Sequence, residues 1–276
     1  MLTELSYEKE DNRQRSKTLV QTDNLVVLVL SDRGGRKENQ DAWGLRLTDS
    51  GELYLALADG LGGLAGGREA SRAAVTGVLR ALDSVADEGE LIPEAFKAAH
   101  ESVLLARQKD RAKSLMSSTL TLVEVKDGFC RWGHVGDTRL YLNNDQKILF
   151  QTLDHTVAQA LAAAGEMDPE EIRHDPNRHL LVKSLGNDNP YPKPTLGSSA
   201  ERGEFDLVIL ATDGFWEWIE EDRLSSLAFP AVSCSENDYF QVIYNLETEL
   251  KEKALAREPE YDNYSVIVVI VNKKNK

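Results

Sequence analysis

The chain is poor in cysteine and histidine, and these shortages exclude several kinds of site. Its 276 residues include only 2 cysteines and 5 histidines. Cys130 and Cys234 lack the paired spacing of a zinc site, and two cysteines are too few for a disulfide framework. We therefore expect both to be reduced residues of an intracellular protein.

Positive charge is scarce as well. The 32 Lys and Arg residues are outnumbered by 46 Asp and Glu residues, so the formal net charge is -14 and the isoelectric point is about 4.9. Binding to nucleic acid or to an acidic membrane surface needs clustered basic residues. The composition therefore argues against both partners and leaves room for cation binding.

Long hydrophobic runs are also missing. No segment reaches the roughly 18 apolar residues of a membrane span, and Met1 to Asp23 has no apolar signal core. We therefore expect a cytoplasmic protein. No linker rich in proline, serine or charge divides the chain, which is long enough for a substantial core. These features predict a polar N-terminal arm over 1–22 and a single domain over 23–273.

The most informative stretch surrounds Asp59. Leu53 to Ala58 is a short apolar run, which predicts a buried strand that ends at Asp59. Glycines follow, and from Glu69 apolar residues recur at helical spacing, which predicts a helix packed on the sheet. Alone, Asp59-Gly60 has an ordinary explanation as a turn. A dinucleotide loop is disfavoured, because the glycines miss the required order and a carboxylate repels pyrophosphate.

Apolar strands alternate with turns in the rest of the chain. Thr119 to Val125 and Phe129 to Val135 flank Lys126-Asp127-Gly128, which is typical of a hairpin. Other predicted strands are Leu25 to Leu30, Leu140 to Leu142, Phe205 to Ala211 and Ser265 to Val271. Successive hairpins predict antiparallel pairing and not a βαβ series.

One long segment lacks a regular pattern. Residues 165–197, the flap segment, are polar and rich in proline, with little periodicity after Ile172. A stretch of this length inside a compact domain is usually functional. We therefore expect it to form a lid or a binding flap.

Five aspartates are placed at predicted strand ends. Asp59, Asp137 and Asp213 follow apolar strands, whereas Asp41 and Asp262 precede them. Each alone has an ordinary explanation as a turn residue. Gathered at one end of a sheet, the carboxylates would repel one another and raise each other's pKa unless a cation neutralised them. With few histidines and no cysteine cluster, an all-oxygen site selects a hard divalent ion such as Mg²⁺ or Mn²⁺.

Arg36 lies in the loop that follows the predicted strand Leu25 to Leu30. Its planar guanidinium suits an oxyanion, although its position alone favours a solvated loop arginine. Two divalent ions about 3.5 to 4 Å apart can share a water molecule and clamp a phosphoryl group for in-line attack. Arg36 would add the missing contact with the phosphate.

Five short motifs contain these residues. They are Arg36 with Asn39-Gln40-Asp41, Asp59-Gly60-Leu61-Gly62-Gly63, Gly136-Asp137-Thr138-Arg139, Thr212-Asp213-Gly214 and Asp262-Asn263. In this order and spacing they resemble the motifs of the metal-dependent PP2C-type (PPM) serine/threonine protein phosphatases, in their bacterial form. The resemblance extends from about Leu25 to Val271.

The resemblance implies an α+β fold. This fold is a four-layer αββα sandwich of two mainly antiparallel sheets flanked by helices, with a flap at residues 165–197. The resemblance also implies that Asp59 bridges two metal ions and that the main-chain carbonyl of Gly60 binds one of them. Asp213 and Asp262 resemble the ligands of the other ion.

Three further roles follow from the same resemblance. Asp41 would hold a metal directly or through water, and Asp137 would join Asp213 in binding a third, weaker ion. Arg36 would hold the substrate phosphate, so that Asp59 and Arg36 are the expected catalytic residues. Leu61 replaces a histidine that serves as the proposed general acid in animal members, so we assign no side chain to that role.

The implied function is a Mn²⁺- or Mg²⁺-dependent protein phosphatase. It would hydrolyse phosphoserine and phosphothreonine by direct attack of a water molecule that bridges two ions. We expect phosphoprotein substrates, an opposing serine/threonine kinase and a monomeric enzyme. The alternative is a catalytically silent PP2C-like module that binds a phosphoprotein or a regulatory partner. Loss of a metal aspartate would mark such a module, and all five aspartates are present.

Overall fold

The computed structural model describes most of the chain, and its strands set the architecture. The described residues are 3–5, 15–22, 24–61, 66–84, 90–109, 115–144, 146–187, 191–199, 203–229 and 235–271. Within these ranges the strands are β1 (Thr3–Leu5), β2 (Arg15–Gln21), β3 (Leu25–Asp32), β4 (Asp41–Leu47), β5 (Leu53–Leu61), β6 (Ser117–Ser118), β7 (Leu120–Lys126), β8 (Phe129–Val135), β9 (Arg139–Asn144), β10 (Lys147–Gln151), β11 (Thr195–Ser198), β12 (Leu207–Ala211) and β13 (Tyr264–Val271).

These strands form two antiparallel sheets. The first sheet has seven strands in the order β1-β4-β5-β7-β8-β11, with β6 paired to β5. The second has six strands in the order β10-β9-β12-β13-β3-β2. Hairpins such as β7–β8 and β9–β10 join neighbours, as their turn sequences predict.

Helices cover the outer faces of both sheets. The helices are α1 (Gly67–Ser84), α2 (Leu91–Lys109), α3 (Val157–Ala163), α4 (Asp213–Trp216), α5 (Glu221–Ser225) and α6 (Glu236–Leu255), with a 3₁₀ helix at Pro169–His174. Helices α1 and α2 pack on the first sheet, and α6 packs on the second. This arrangement confirms the predicted four-layer αββα sandwich. Across the described ranges, no helix is both long and apolar enough to cross a membrane.

Strand β3 shows why the sheets occupy the middle of the sandwich. Val26, Leu28 and Leu30 lie in the core beneath α6, whereas Val27 and Val29 lie in the core between the sheets. Successive side chains of a strand point to opposite faces. A strand that is apolar at every position is therefore buried on both faces.

The core between the sheets also contains one of the two cysteines. Cys130 is a free thiol with 0% exposure, and its burial among apolar side chains raises its pKa. Such a thiol behaves as a small hydrophobic side chain. Cys234 lies outside the described residues.

Helix α6 shows how the sequence defines an outer layer. The Ser235 hydroxyl accepts from the Asp238 amide, and the Asp238 carboxylate accepts from the Ser235 amide, which forms a capping box. The apolar residues that predicted this helix recur on its buried face, namely Tyr239, Ile243, Leu246 and Leu250. The helix is therefore fixed both by its first turn and by its packing.

The polar N-terminal arm predicted over 1–22 contributes two strands among its described residues, β1, which pairs with β4, and β2. Strand β2 pairs with β3 from Arg15 opposite Asp32 to Gln21 opposite Val26. Arg15 also donates two hydrogen bonds to Glu247 of α6, at 2.6 and 2.9 Å. This edge strand carries polar and half-exposed side chains, so its composition resembles that of a loop.

The flap segment is mostly irregular, as expected. It contains the 3₁₀ helix, followed by turns at residues 176–179. Its last residues belong to β11, which pairs with β8 at the edge of the first sheet. The segment therefore begins next to α3 and ends within a sheet.

The Arg15–Glu247 contact gives a test of the edge strand. Glu247 is buried, so Arg15→Ala deprives its carboxylate of the two hydrogen bonds from Arg15 and should lower the free energy of unfolding by about 1–3 kcal/mol. Lys17→Ala on the same strand is the control, because the exposed Lys17–Glu236 pair is worth less than about 1 kcal/mol. Urea unfolding measures both variants. An Arg15→Ala midpoint equal to that of the wild type would show that β2 does not support the domain.

Candidate metal centre

Asp41 and Asp59 face each other across neighbouring strands. Asp41 begins β4, Asp59 lies near the end of β5, and the two are direct partners in the antiparallel register. One carboxylate oxygen of Asp41, Oδ2, accepts hydrogen bonds from Thr212 at 3.0 Å and Ser265 at 2.6 Å. The other, Oδ1, is buried without a hydrogen-bond partner. Because Ser265 belongs to β13 and Thr212 follows β12, Asp41 links the two sheets at this end.

Gly60 allows a close approach of three chain segments beside Asp59. A Cβ atom on Gly60 would lie 1.9 Å from the Gly67 carbonyl oxygen and 2.8 Å from the Gln40 carbonyl oxygen. Any side chain would therefore push β5 away from the start of α1. The glycine therefore lets β5, the start of α1 and the segment before β4 meet beside Asp59.

Asp213 and Asp262 lie next to strands of the second sheet. Asp213 begins α4 directly after β12, and Asp262 precedes β13. The Oδ1 atoms accept from the next amides in the chain, Gly214 for Asp213 at 2.7 Å and Asn263 for Asp262 at 2.8 Å. Both aspartates are thus held at the end of a buried strand by local hydrogen bonds.

Asp137 lies in the turn between β8 and β9. It is buried, and its main-chain carbonyl accepts from Trp216 Nε1 at 3.0 Å. Trp216 and Trp218 are themselves buried in the core beneath α6. The aromatic layer therefore supports the turn that carries Asp137.

These residues share one cleft of about 920 Å³. Its lining includes the predicted site residues Arg36, Asp59, Gly60, Asp137, Asp213 and Asp262. Asp41 lies behind Asp59 and completes the predicted set. The flap segment contributes Pro176, Arg178 and His179 to the lining. The structure therefore brings together the residues that the sequence motifs single out.

The carboxylates of the cleft have raised pKa values. Desolvation is the main cause, and it brings the pKa of Asp41 and of Asp137 from 3.8 to about 7. The pKa of Asp59 lies well above its usual range through desolvation and then the charges of Asp41, Asp262 and Asp137. The pKa of Asp213 is also well above its usual range, through desolvation and then chiefly the charge of Asp59. Near neutral pH the group must either keep protons or gain positive charge.

The donor set fits a hard divalent cation. Its ligating atoms are all oxygen, the carboxylates repel one another, and Asp41 Oδ1 lacks a donor. Asp262 is turned toward Arg36, whose Nη2 lies 3.1 Å from Asp262 Oδ2. In the part of the chain that the structure describes, no three His, Cys, Asp or Glu side chains converge as a group placed to hold an ion. The ligands are therefore gathered in one cleft but not drawn to one point.

Sequence patterns did not reveal every polar residue of the cleft. Arg178 donates to Glu217 through Nε at 2.5 Å and Nη2 at 2.8 Å, and both residues line the cleft. The available signals were the polar flap segment and the position of Glu217 one helical turn after Asp213. Thr212 belongs to a quoted motif, but its contact with Asp41 had no signal, and neither had the contact of Ser265, because both contacts join segments far apart in sequence.

The histidines near the cleft have different surroundings. The Thr156 side chain accepts from the Gln159 amide and caps α3. His155, the residue before it, contacts Gly136 and Thr195. His134 lies inside strand β8. His174 and His179 of the flap segment are exposed, and His179 also lines the cleft.

The chain is similar to bacterial phosphatases in sequence. It is 31% identical over 218 residues to the serine/threonine protein phosphatase PstP of Mycobacterium tuberculosis, with 75% of this chain and 41% of PstP covered. The chain thus spans about two fifths of the length of that relative. It is 26% identical to the protein phosphatase PhpP of Streptococcus pneumoniae, with 74% of this chain and 84% of PhpP covered.

Solved structures share the fold. The crystal structure of the Mycobacterium tuberculosis phosphatase PstP/Ppp superposes with a TM-score of 0.72 at 27% identity, covering 91% of this chain and 100% of that one. The catalytic domain of PstP in complex with two manganese ions gives a TM-score of 0.70 at 25% identity, covering 93% of this chain and 100% of that one. Stp1 from Staphylococcus aureus, at 21% identity and a TM-score of 0.75, shows the fold alone and covers 94% of this chain and 99% of Stp1.

A family model matches most of the chain. The model described as protein phosphatase 2C matches residues 31–255, which contain the motifs around Asp41, Asp59, Asp137 and Asp213. The match therefore covers most of the sandwich and most of the candidate site. The chain belongs to the protein phosphatase 2C family.

Proposed function

We propose that this chain is a divalent-metal-dependent phosphatase that hydrolyses phosphoserine and phosphothreonine in proteins. The observation that carries the proposal is the set of repelling aspartates from both sheets in one cleft with Arg36. The names of the relatives, which are serine/threonine protein phosphatases, support the substrate class. The proposal extends to a monomeric, cytoplasmic enzyme that opposes a serine/threonine kinase.

The residues of the cleft suit the binding of two Mn²⁺ or Mg²⁺ ions. Asp59 and the Gly60 carbonyl would hold one ion, and Asp59, Asp213 and Asp262 the other. Asp41 would bind directly or through water, and Asp137 with Asp213 would hold a third ion. When bound, such ions lower the pKa of a water molecule and offset charge on the phosphoryl oxygens.

Arg36 has a separate role in the proposal. Its guanidinium is 48% exposed at the rim and pairs with Asp262, which is 49% exposed. Once Asp262 turns toward a cation, the guanidinium loses that partner and becomes free for another anion. A planar guanidinium binds phosphate through two parallel hydrogen bonds, so Arg36 would orient the substrate phosphate.

The catalytically silent alternative is less well supported. A silent binding module has no need for repelling carboxylates in a cleft, because they cost stability without a cation. All five predicted aspartates are present, and their burial raises the pKa of four of them. Active hydrolysis therefore explains the arrangement better.

Replacement of Asp213 tests the metal-dependent reaction. Asp213→Asn keeps an oxygen for the Gly214 amide but removes a charge, so it should lower Mn²⁺-dependent turnover by at least about a hundredfold. We expect the same loss for Asp59→Ala. Hydrolysis of p-nitrophenyl phosphate and of a phosphothreonine peptide measures turnover. Glu260→Gln, with the same charge change at the cleft rim, should retain it, and wild-type turnover in Asp213→Asn would refute the site.

The raised pKa values predict how metal and pH affect stability. Between about pH 4 and pH 7 the folded chain holds protons that the unfolded chain does not, so the metal-free protein loses stability as pH rises. Cations must displace those protons at low pH. The increase in Tm caused by Mn²⁺ should therefore be larger at about pH 7.5 than at about pH 5.5. An equal increase in Tm at both pH values would contradict this electrostatic account. So would an increase in Asp213→Asn as large as that of the wild type.

The role of Arg36 predicts a selective change in kinetics. Arg36→Ala removes a charge-assisted contact worth about 1.5–3 kcal/mol, so KM should rise about tenfold or more while kcat changes less. Steady-state kinetics with the phosphothreonine peptide measure both constants. Lys37→Ala is the matched control, because it removes a neighbouring positive charge from the same rim. If KM is unchanged in Arg36→Ala, this arginine does not bind the phosphate.

A further inference from the structure

The backbone of the turn that carries Asp137 has an unusual conformation. Gly136 has φ +100°, and a Cβ atom there would lie 2.6 Å from the Cγ2 atom of Thr119. Positive φ and the lack of space both favour glycine at this position. The orientation of Asp137 therefore depends on whatever holds the peptide groups of Gly136.

One residue holds both peptide groups of Gly136. The Gly136 amide donates to Nδ1 of His155 at 3.0 Å. The His155 amide in turn donates to the Gly136 carbonyl at 3.0 Å. Buried peptide groups need such partners, and here a single residue supplies them from the loop before α3.

The same residue contacts the flap segment at two points. Since Nδ1 accepts a hydrogen bond, the neutral ring carries its proton on Nε2, which donates to Thr195 Oγ1 at 2.9 Å. The His155 carbonyl accepts from the Val182 amide at 2.9 Å. His155 thus connects the turn before Asp137 with the middle and the end of the flap segment.

The surroundings keep this ring in its accepting form. His134 stacks on His155 with ring centroids 4.5 Å apart and an interplanar angle of 5°. Desolvation, followed by the charges of His134 and Lys183, lowers the pKa of His155 to about 3. The ring is therefore neutral at the pH of an ordinary assay, and Nδ1 remains available to Gly136.

We propose that His155 is a positioning residue that fixes the Gly136–Asp137 turn to the flap segment. His155 acts through the Gly136 peptide groups, and the cleft is lined by Asp137 and not by the imidazole. The geometry of the hydrogen bonds stands by itself, whereas its effect on metal binding rests on the proposed function. Outer partners of metal ligands typically change metal affinity or activity by about 10- to 100-fold when they are replaced.

Two substitutions separate the two sides of the ring. His155→Asn places an acceptor near the position of Nδ1, so it should keep the bond from Gly136 and lose the one to Thr195. His155→Gln places a donor near the position of Nε2, so it should keep the bond to Thr195 and lose the one from Gly136. Thr195→Val is the matched control, because it removes the flap contact and leaves His155 intact. Both replacements of His155 are polar and uncharged, so a difference between them reports which side of the ring matters and not the loss of a polar side chain.

The first readout is amide hydrogen exchange in the metal-free protein. We expect the Gly136 amide to exchange at least about tenfold faster in His155→Gln, and to keep wild-type protection in His155→Asn and Thr195→Val. Equal protection in His155→Asn and His155→Gln would overturn the proposal. This measurement needs neither metal nor substrate, so it remains decisive if the chain has no phosphatase activity.

The second readout is the Mn²⁺ concentration that gives half-maximal turnover of p-nitrophenyl phosphate. It should rise about tenfold or more in His155→Gln and stay near the wild-type value in His155→Asn. A shift of the same size in both variants would overturn the positioning role, because it would not depend on the Gly136 bond. Absence of turnover in the wild-type protein would refute the proposed function. The hydrogen-exchange result would still show whether His155 holds the Gly136 amide.

Discussion

Repulsion between desolvated carboxylates is the constraint on which the rest of this structure depends. Asp41, Asp59, Asp137 and Asp213 meet at one end of the sandwich, and desolvation is the main reason that their pKa values are raised. A desolvated charge costs several kcal/mol in real proteins. Two apolar sheets and two helical layers hold these side chains in place despite that cost. The fold as a whole thus stabilises one site whose own interactions are unfavourable, and such a site is typical of a functional centre.

The two sheets do not contribute to this centre independently. Asp41 begins a strand of the first sheet, yet its hydrogen-bond donors are Ser265, in a strand of the second sheet, and Thr212, the residue after another strand of that sheet. Thr212 also directly precedes Asp213 in the chain. The distance between the carboxylates therefore depends on how the sheets pack, and the apolar core between them becomes part of the geometry of the site. The hydrogen bonds from Thr212 and Ser265 to Asp41 are the contacts that connect the site to this packing.

The sequence predicts the parts of this structure that depend on local pattern. Apolar runs such as Leu53 to Ala58 mark strands buried on both faces, and the motif order implies the sandwich and the site residues. The edge strand β2 was missed, because its polar residues give no periodic signal and its pairing is decided by β3. The contacts of His155 were missed for a related reason. They join a loop, a turn and the flap segment, and no spacing rule connects positions so far apart in sequence.

The direct pairing of Asp41 with Asp59 also limits how the chain can change in length. Successive side chains of a strand alternate between faces, so one added residue inside a strand reverses every position beyond it. An insertion between Leu53 and Asp59 would turn Asp59 away from its partner. The same insertion in the turn at residues 48–52 leaves the register of both strands intact. A change of chain length in the turns is therefore compatible with the centre. A change of one residue inside the strands that carry Asp41 and Asp59 is not.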